Sequence, residues 1–243
     1  MDTKYLLLWL EAPMQSWGAD SKFGRRDSLS FPTKSGVAGL LLCALGASGP
    51  QTELLKELST LKQTVVSYAR QQKDKNSILN KVDREALLRD FHMVGAGYDL
   101  ADPWQAMLEP HKSDGSSRNS DGGGTKMTYR YYLQDAKFAV VMEVPAFRSV
   151  EFAEALQHPI YDLYLGRKNC VPTDFVFRGI FENQEIALQN AEMIAHEKGL
   201  LIEDFSVVDG EDKDGDSMTL NDVPVQFGEV KRYRDRRVTV ITK

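Results

Sequence analysis

Two cysteines, Cys43 and Cys170, are all that 243 residues contain, and neither sits in a CxxC or Cys/His spacing. A disulfide scaffold and a structural zinc site are thereby excluded, and a reducing compartment fits. Histidine is equally sparse. His92, His111, His158 and His196 form no HxH or HExxH pattern, and no GxSxG elbow is present. The longest uncharged apolar run, residues 37–47, is too short for a bilayer, which needs about 20 residues. Residues 5–10 are apolar but close at Glu11, which does not fit a signal peptide. The cytoplasm is the default location, and no membrane partner is expected. Gly95-Ala-Gly97 lacks the third glycine of a dinucleotide fingerprint, and Gly122-Gly-Gly-Thr-Lys126 lacks the order of a P-loop. Asp212, Asp214 and Asp216 match the first three EF-hand positions, but the sixth is Ser217 and the twelfth Val223. A solvated acidic turn is expected there, with no metal and no cofactor.

What the chain does have is an uneven charge. Its net charge of −5 speaks against a nucleic-acid partner only as an average. Residues 182–229 carry 13 acidic and two basic side chains, whereas 231–243 carry six basic and one acidic. One acidic block sets the sign of the whole, so partners have to be read locally.

Residues 5–10 predict a strand buried on both faces. A basic loop follows, then a helix from Lys34 to Leu45, capped by Thr33 or Ser35 and ended by Gly46. A second helix is expected over 52–61, with leucines on one face, and a β-branched strand over 64–68. Residues 71–83 read as a connection. Two strand-like runs, 87–94 and 127–133, flank a long insert whose tip, Ser113 to Gly124, has no apolar anchor. A strand over 137–144, a helix over 150–156 ended by Pro159, and a strand near 160–165 complete a βαββαβ order. The fold class is thus α+β, a ferredoxin-like or RRM core with a long β-hairpin insertion between its second and third strands. The domain reading is 1–166, with the hairpin at about 85–134, and a smaller mixed part over 167–243. That second part is expected to hold a helix near 184–198 and strand-like pieces at 200–208, 223–227 and 237–241.

Four clusters join cations to aromatics or glycine. Pro13-Met-Gln-Ser-Trp-Gly18 with Lys22, Arg25, Arg26 and Lys34-Ser35 puts Trp17 and four cations beside one strand. Phosphates need cations and unpaired bases need flat apolar faces, which is what such a loop offers to single-stranded RNA. The alternative at this point is a core Trp17 and a solvated cationic face. Lys126-Met-Thr-Tyr-Arg-Tyr-Tyr132 faces Arg89-Asp-Phe-His92 across the hairpin, with Tyr129 and Tyr131 on one side and Arg130 and Tyr132 on the other. His92 reads better as a polar hairpin contact than as a general acid or base. In Tyr164-Leu-Gly-Arg-Lys-Asn-Cys170, a glycine before two cations lets backbone approach an anion. Lys231-Arg-Tyr-Arg-Asp-Arg-Arg237 either grips RNA phosphates or pairs with the chain's own acidic block.

Pro13 to Gly18, Phe31-Pro-Thr-Lys-Ser-Gly36, Arg89-Asp-Phe-His-Met-Val94, Arg130-Tyr-Tyr-Leu-Gln-Asp-Ala136 and Tyr164 to Cys170 occur together and in order. In this the chain resembles the CasD-type subunits of the type I-E CRISPR Cascade complex, members of the RAMP superfamily, over roughly residues 4–180. The resemblance implies an RRM-like core with a protruding hairpin thumb. It implies a subunit that holds the 5′ handle of the CRISPR RNA and touches the backbone RAMP subunits and the large subunit. Target DNA would be met only indirectly, through the guide. By position in the matched motifs, Gln15, Trp17, Lys22, Arg25, Arg26, Lys34 and Ser35 become handle-binding candidates. Arg89, His92, Lys126, Tyr129 and Arg130 belong to the thumb, and Arg167 and Lys168 supply phosphate contacts. In that subtype a separate subunit cuts the precursor, so the resemblance implies no enzyme. The competing reading is a metal-independent endoribonuclease built around His92, Tyr129 or Lys126. Two departures stand out: a long glycine-rich tip, and Asn169 where the family usually has serine.

Overall fold

The computed structural model describes residues 2–18, 21, 24–75, 77–94, 98–99, 101–116 and 126–242. Strand β1 (Thr3–Glu11) runs through the middle of the molecule, and Leu6 to Leu10 are all buried. Alternation sends Leu7 and Trp9 to one face and Leu6, Leu8 and Leu10 to the other. Each large apolar side chain so buried contributes about 1.5–3 kcal/mol. Helix α1 (Lys34–Ala44) starts where Thr33 Oγ1 accepts from the Gly36 N–H at 3.1 Å. Helix α2 (Thr52–Ser59) buries Leu55 and Leu58, as its leucine spacing predicts.

Strand β2 (Gln63–Lys73) follows, then the hairpin strands β3 (Leu88–Val94) and β4 (Lys126–Gln134). Next come β5 (Lys137–Pro145), α3 (Ser149–Gln157) and β6 (Phe177–Phe181). The chain closes with α4 (Gln184–Glu197), β7 (Leu200–Asp209), β8 (Asp216–Gln226) and β9 (Arg232–Thr242). The main sheet is antiparallel and runs β6-β1-β5-β2-β7-β9-β8, so the C-terminal strands extend the sheet begun by β1. Helices α1 and α3 cover one face. On the other, α4 lays Ala187, Ala191 and Ala195 against Leu7, Trp9 and Val141, small side chains that let helix and sheet approach closely. The result is a mixed α/β protein built on antiparallel sheets. Among the described residues no helix is long and apolar enough to cross a membrane.

Two expectations fail. Residues 160–165 form no strand. The Ile160 N–H instead donates to Ala44 O at 2.9 Å at the end of α1, and Ile160 and Tyr161 are exposed. The strand beside β1 is β6, which the sequence hides behind Arg178 and Gly179. Residues 71–83 are likewise more than a connection: β2 runs on to Lys73 and the chain returns as a short strand, Leu79–Val82, paired with it. The insert holds a short helix, Pro103–Ala106, and residues 117–125 of its tip lie outside the described set.

Candidate nucleic-acid interface

The first loop folds inward. Met14–Gln15 pairs with the end of β4, and the Gln15 side chain donates to Leu10 O at 3.1 Å and Ala136 O at 2.7 Å. Its Oε1 accepts from Trp17 Nε1 at 3.1 Å, and both residues are fully buried. The Trp17 ring packs so closely on α1 that a Cβ at Gly36 would come within 2.8 Å of it. Lys34 is buried too. Its amine lies 3.4 Å from Asp209 and donates to the carbonyls of Ser59 and Leu61, while its backbone N–H donates to Asp222 at 2.8 Å. Arg236 joins the same two carboxylates. Burial pulls the Lys34 amine below the usual lysine range, against the opposing pull of Asp209. Gln15, Trp17 and Lys34 are therefore corrected from surface contacts to supports: their polar atoms are spent inside the protein.

The other cations converge on the foot of the hairpin. Strands β3 and β4 pair antiparallel from Leu88↔Tyr132 to Val94↔Lys126. The short strand Arg25–Arg26 runs parallel to β4, setting Arg25 beside Tyr129 and Arg26 beside Arg130. The Arg25 guanidinium lies 5.1 Å from the centre of the Tyr131 ring and pairs with Asp27 at 2.8 Å. Arg167 lies 4.7 Å from the Tyr132 ring centre and donates to Tyr131 O at 3.2 Å and Arg26 O at 2.8 Å. Arg89 sits 5.6 Å from the Tyr129 ring centre. A planar guanidinium held on a ring can still offer its remaining N–H groups to phosphate oxygens.

The alternation of β3 and β4 gives the hairpin two unlike faces. One carries Asp90, His92, Arg130 and Tyr132 and, with Arg167 and Lys168, walls an open groove of about 560 Å³. His92 contacts Asp90, and Asn169 donates to the Tyr132 hydroxyl at 3.2 Å. The other face is exposed and carries Phe91, Met93, Met127 and Tyr129 beside Arg89, and Phe91 packs at a tilt against Tyr129 at 5.4 Å. The strand alternation at 91, 93, 127 and 129 carries that signal in the sequence. Ser35 borders a second groove beside α1. Lys22 lies outside the described residues, and Lys126 is located only by its register opposite Val94.

Gly166 has a different purpose from the one its neighbours suggest. Its φ is +96°, and a Cβ there would stand 1.7 Å from Ser16 O. The glycine lets the 164–170 turn dock on the first loop, where Ser16 N–H donates to Leu165 O at 3.1 Å. The anion-approach reading is replaced by a packing one. The C-terminal basic run divides: Arg236 and Arg237 pair with Asp209, Asp222 and Glu211 of the acidic block, while Lys231, Arg232 and Arg234 are exposed.

The CRISPR-associated protein family Cas_Cas5 matches residues 5–239. The CRISPR system Cascade subunit CasD of Escherichia coli (strain K12) is 32% identical over 196 residues, 78% of each chain. A solved chain of a CRISPR RNA-guided surveillance complex superposes with a TM-score of 0.64 at 27% identity, over 98% of this chain and 90% of its own. A crystal structure of a Cas protein shares the fold with a TM-score of 0.58 at 24% identity, over 98% and 94%.

Proposed function

The chain belongs to the CRISPR-associated Cas_Cas5 family, and from that premise we propose that it is a non-catalytic RNA-binding subunit of Cascade. In antiviral defence it anchors the 5′ handle of the CRISPR RNA, whose pairing reads the target DNA. The observation that carries this is the gathering of Arg130, Arg167 and Lys168, from the hairpin and the 164–170 turn, with Tyr132 around one open groove, while Arg25 lies over Tyr131 on the hairpin's other face. Arg25, Arg26, Arg89, Arg130, Arg167 and Lys168 would take phosphates. Tyr129 and His92 would stack on bases, and Ser35, Lys22 and Lys126 are retained as outer contacts. The apolar end of that other face, Phe91, Met93 and Met127, fits a neighbouring protein subunit of the complex, since patches of that kind mark interaction sites. A cytoplasmic location follows from the same role.

The finer fold reading is a ferredoxin-like, RRM-type core with β3–β4 as its thumb. The sequence order β1, β2, β5, β6 and the spatial order β6-β1-β5-β2 support it. The division into 1–166 and 167–243 is part of this proposal, with β6 crossing back to the first part.

The contact between His92 and Asp90 beside Arg130 favours one rival, an endoribonuclease that matures the precursor itself. Incubating the protein with precursor RNA in EDTA separates the two. Intact, bound RNA is expected, and cutting at the handle boundary that is lost in His92→Ala would establish the rival.

A further inference from the structure

The groove beside α1 has about 450 Å³ and opens next to the hairpin groove, with Tyr164 and Gly166 bordering both. One wall is α1. The opposite wall is the β8–β9 turn, a part of the chain that the motif matches do not reach. Phe227 is anchored there, its N–H donating to Pro50 O at 3.0 Å, and Tyr233 stands edge-on to it at 6.4 Å. Lys231 lies on the same wall, and no carboxylate lines this groove among the described residues.

Gly39 forms part of the floor, in the middle of α1, where glycine weakens a helix relative to alanine. Gly36 and Gly166 have partners inside the chain that forbid a side chain, but a Cβ at Gly39 would meet nothing within 4 Å among the described residues. The fold does not need this glycine. A bare helix backbone facing a groove is what a ligand approaching from outside needs. Two of the first α1 N–H groups, those of Lys34 and Gly36, are taken by Asp222 and Thr33, and Lys231 is the cation on the groove wall.

We infer that this groove seats one unpaired nucleotide of the guide RNA, its base stacked on Tyr233 above Gly39 and its phosphate on Lys231. The seat rests on the RNA-binding role proposed above and extends it to the C-terminal hairpin. The volume falls in the range of small-molecule pockets. An aromatic face with an adjacent cation is the usual platform for an unpaired base and its phosphate.

The test uses the assembled ribonucleoprotein, reconstituted with its guide RNA carrying 2-aminopurine at each 5′ position in turn. One position is expected to be quenched in the wild type and to brighten severalfold in both Tyr233→Ala and Gly39→Leu. Tyr233→Phe should remain quenched, and Tyr233→Ala should bind RNA about tenfold more weakly. Gly39→Leu puts bulk only into the groove and replaces a helix-weakening residue, so its melting temperature should not fall below the wild type. Tight RNA binding with emission unchanged in both variants overturns the seat and leaves the RNA-binding role intact. A protein subunit released by Gly39→Leu, with emission unchanged, gives the groove to that protein and also overturns it. Failure of the wild type to bind the guide overturns the role itself.

Discussion

The first loop and the hairpin foot read alike as strings of cations and aromatics, yet they point in opposite directions. In the loop and at the start of α1, Trp17 and Lys34 are buried and their polar atoms are satisfied by Gln15, Asp209 and the C-terminal end of α2. At the hairpin, Arg25, Arg89 and Arg167 lie on tyrosine rings nearer the surface, Arg25 also paired with Asp27 and Arg167 donating to two backbone carbonyls. Lys34 and Arg236 balance Asp209 and Asp222 inside the protein, so this cluster holds α1 to β7, β8 and β9. The hairpin cations have few carboxylate partners and so carry charge for something else. A cation's role is set by what the fold brings to it, and composition is silent on that.

Substitutions can break this contrast. Asp222→Ala should have the largest effect, because removing one partner of a buried ion cluster costs about 3–5 kcal/mol. Urea denaturation would read the loss, while RNA affinity per folded molecule should stay within twofold. Gly166→Ala should come next, costing at least ~1–3 kcal/mol through its left-handed backbone, with the clash at Ser16 O in addition. Because this turn also positions Arg167, RNA affinity should fall with stability there, unlike at Asp222.

The double change Arg25→Ala and Arg167→Ala should lower the urea midpoint less than Asp222→Ala does, yet weaken RNA binding per folded molecule by roughly ten- to a hundredfold. Its salt dependence should flatten by about 1.4 in log–log slope, two phosphate contacts at ~0.7 each. The smallest effect is expected of Arg25→Lys, which keeps the charge but loses the planar stack over Tyr131. A two- to fivefold loss, matching the ~0.5–1 kcal/mol of an exposed cation–π contact, would sharpen the contrast. An equal loss from Lys34→Arg would erase it.

The elements that local chemistry specifies were legible. Thr33 caps α1, the leucines of α2 face inward, and the apolar runs of β1 and β5 lie in the core. The misplaced fourth strand shows where local chemistry stops. Ile160 and its neighbours have strand-like side chains, but Ile160 packs over Gly46 at the end of α1, and the weaker-looking Phe177–Phe181 takes the place beside β1. The site was legible in the same measure. Tyr129, Arg130 and Arg167 could be read from alternation and a turn. Lys34 could not, because its partners Asp209 and Asp222 stand 175 and 188 residues away. The run 231–237 stands out in the sequence, but the groove that Lys231 and Tyr233 share does not, because it is closed by chain segments nearly 200 residues apart, at Ser35 and Tyr233.

The most direct measurement is a salt-titrated comparison of two guide RNAs binding the purified protein, one with its native 5′ handle and one with the handle scrambled. RNA anchored at the hairpin foot predicts at least about tenfold tighter binding of the native handle, as expected for recognition of unpaired bases. That preference should vanish in the Arg25, Arg167 double variant. Equal affinity for the two RNAs, or a preference untouched by that variant, would contradict a handle-anchoring role at this site.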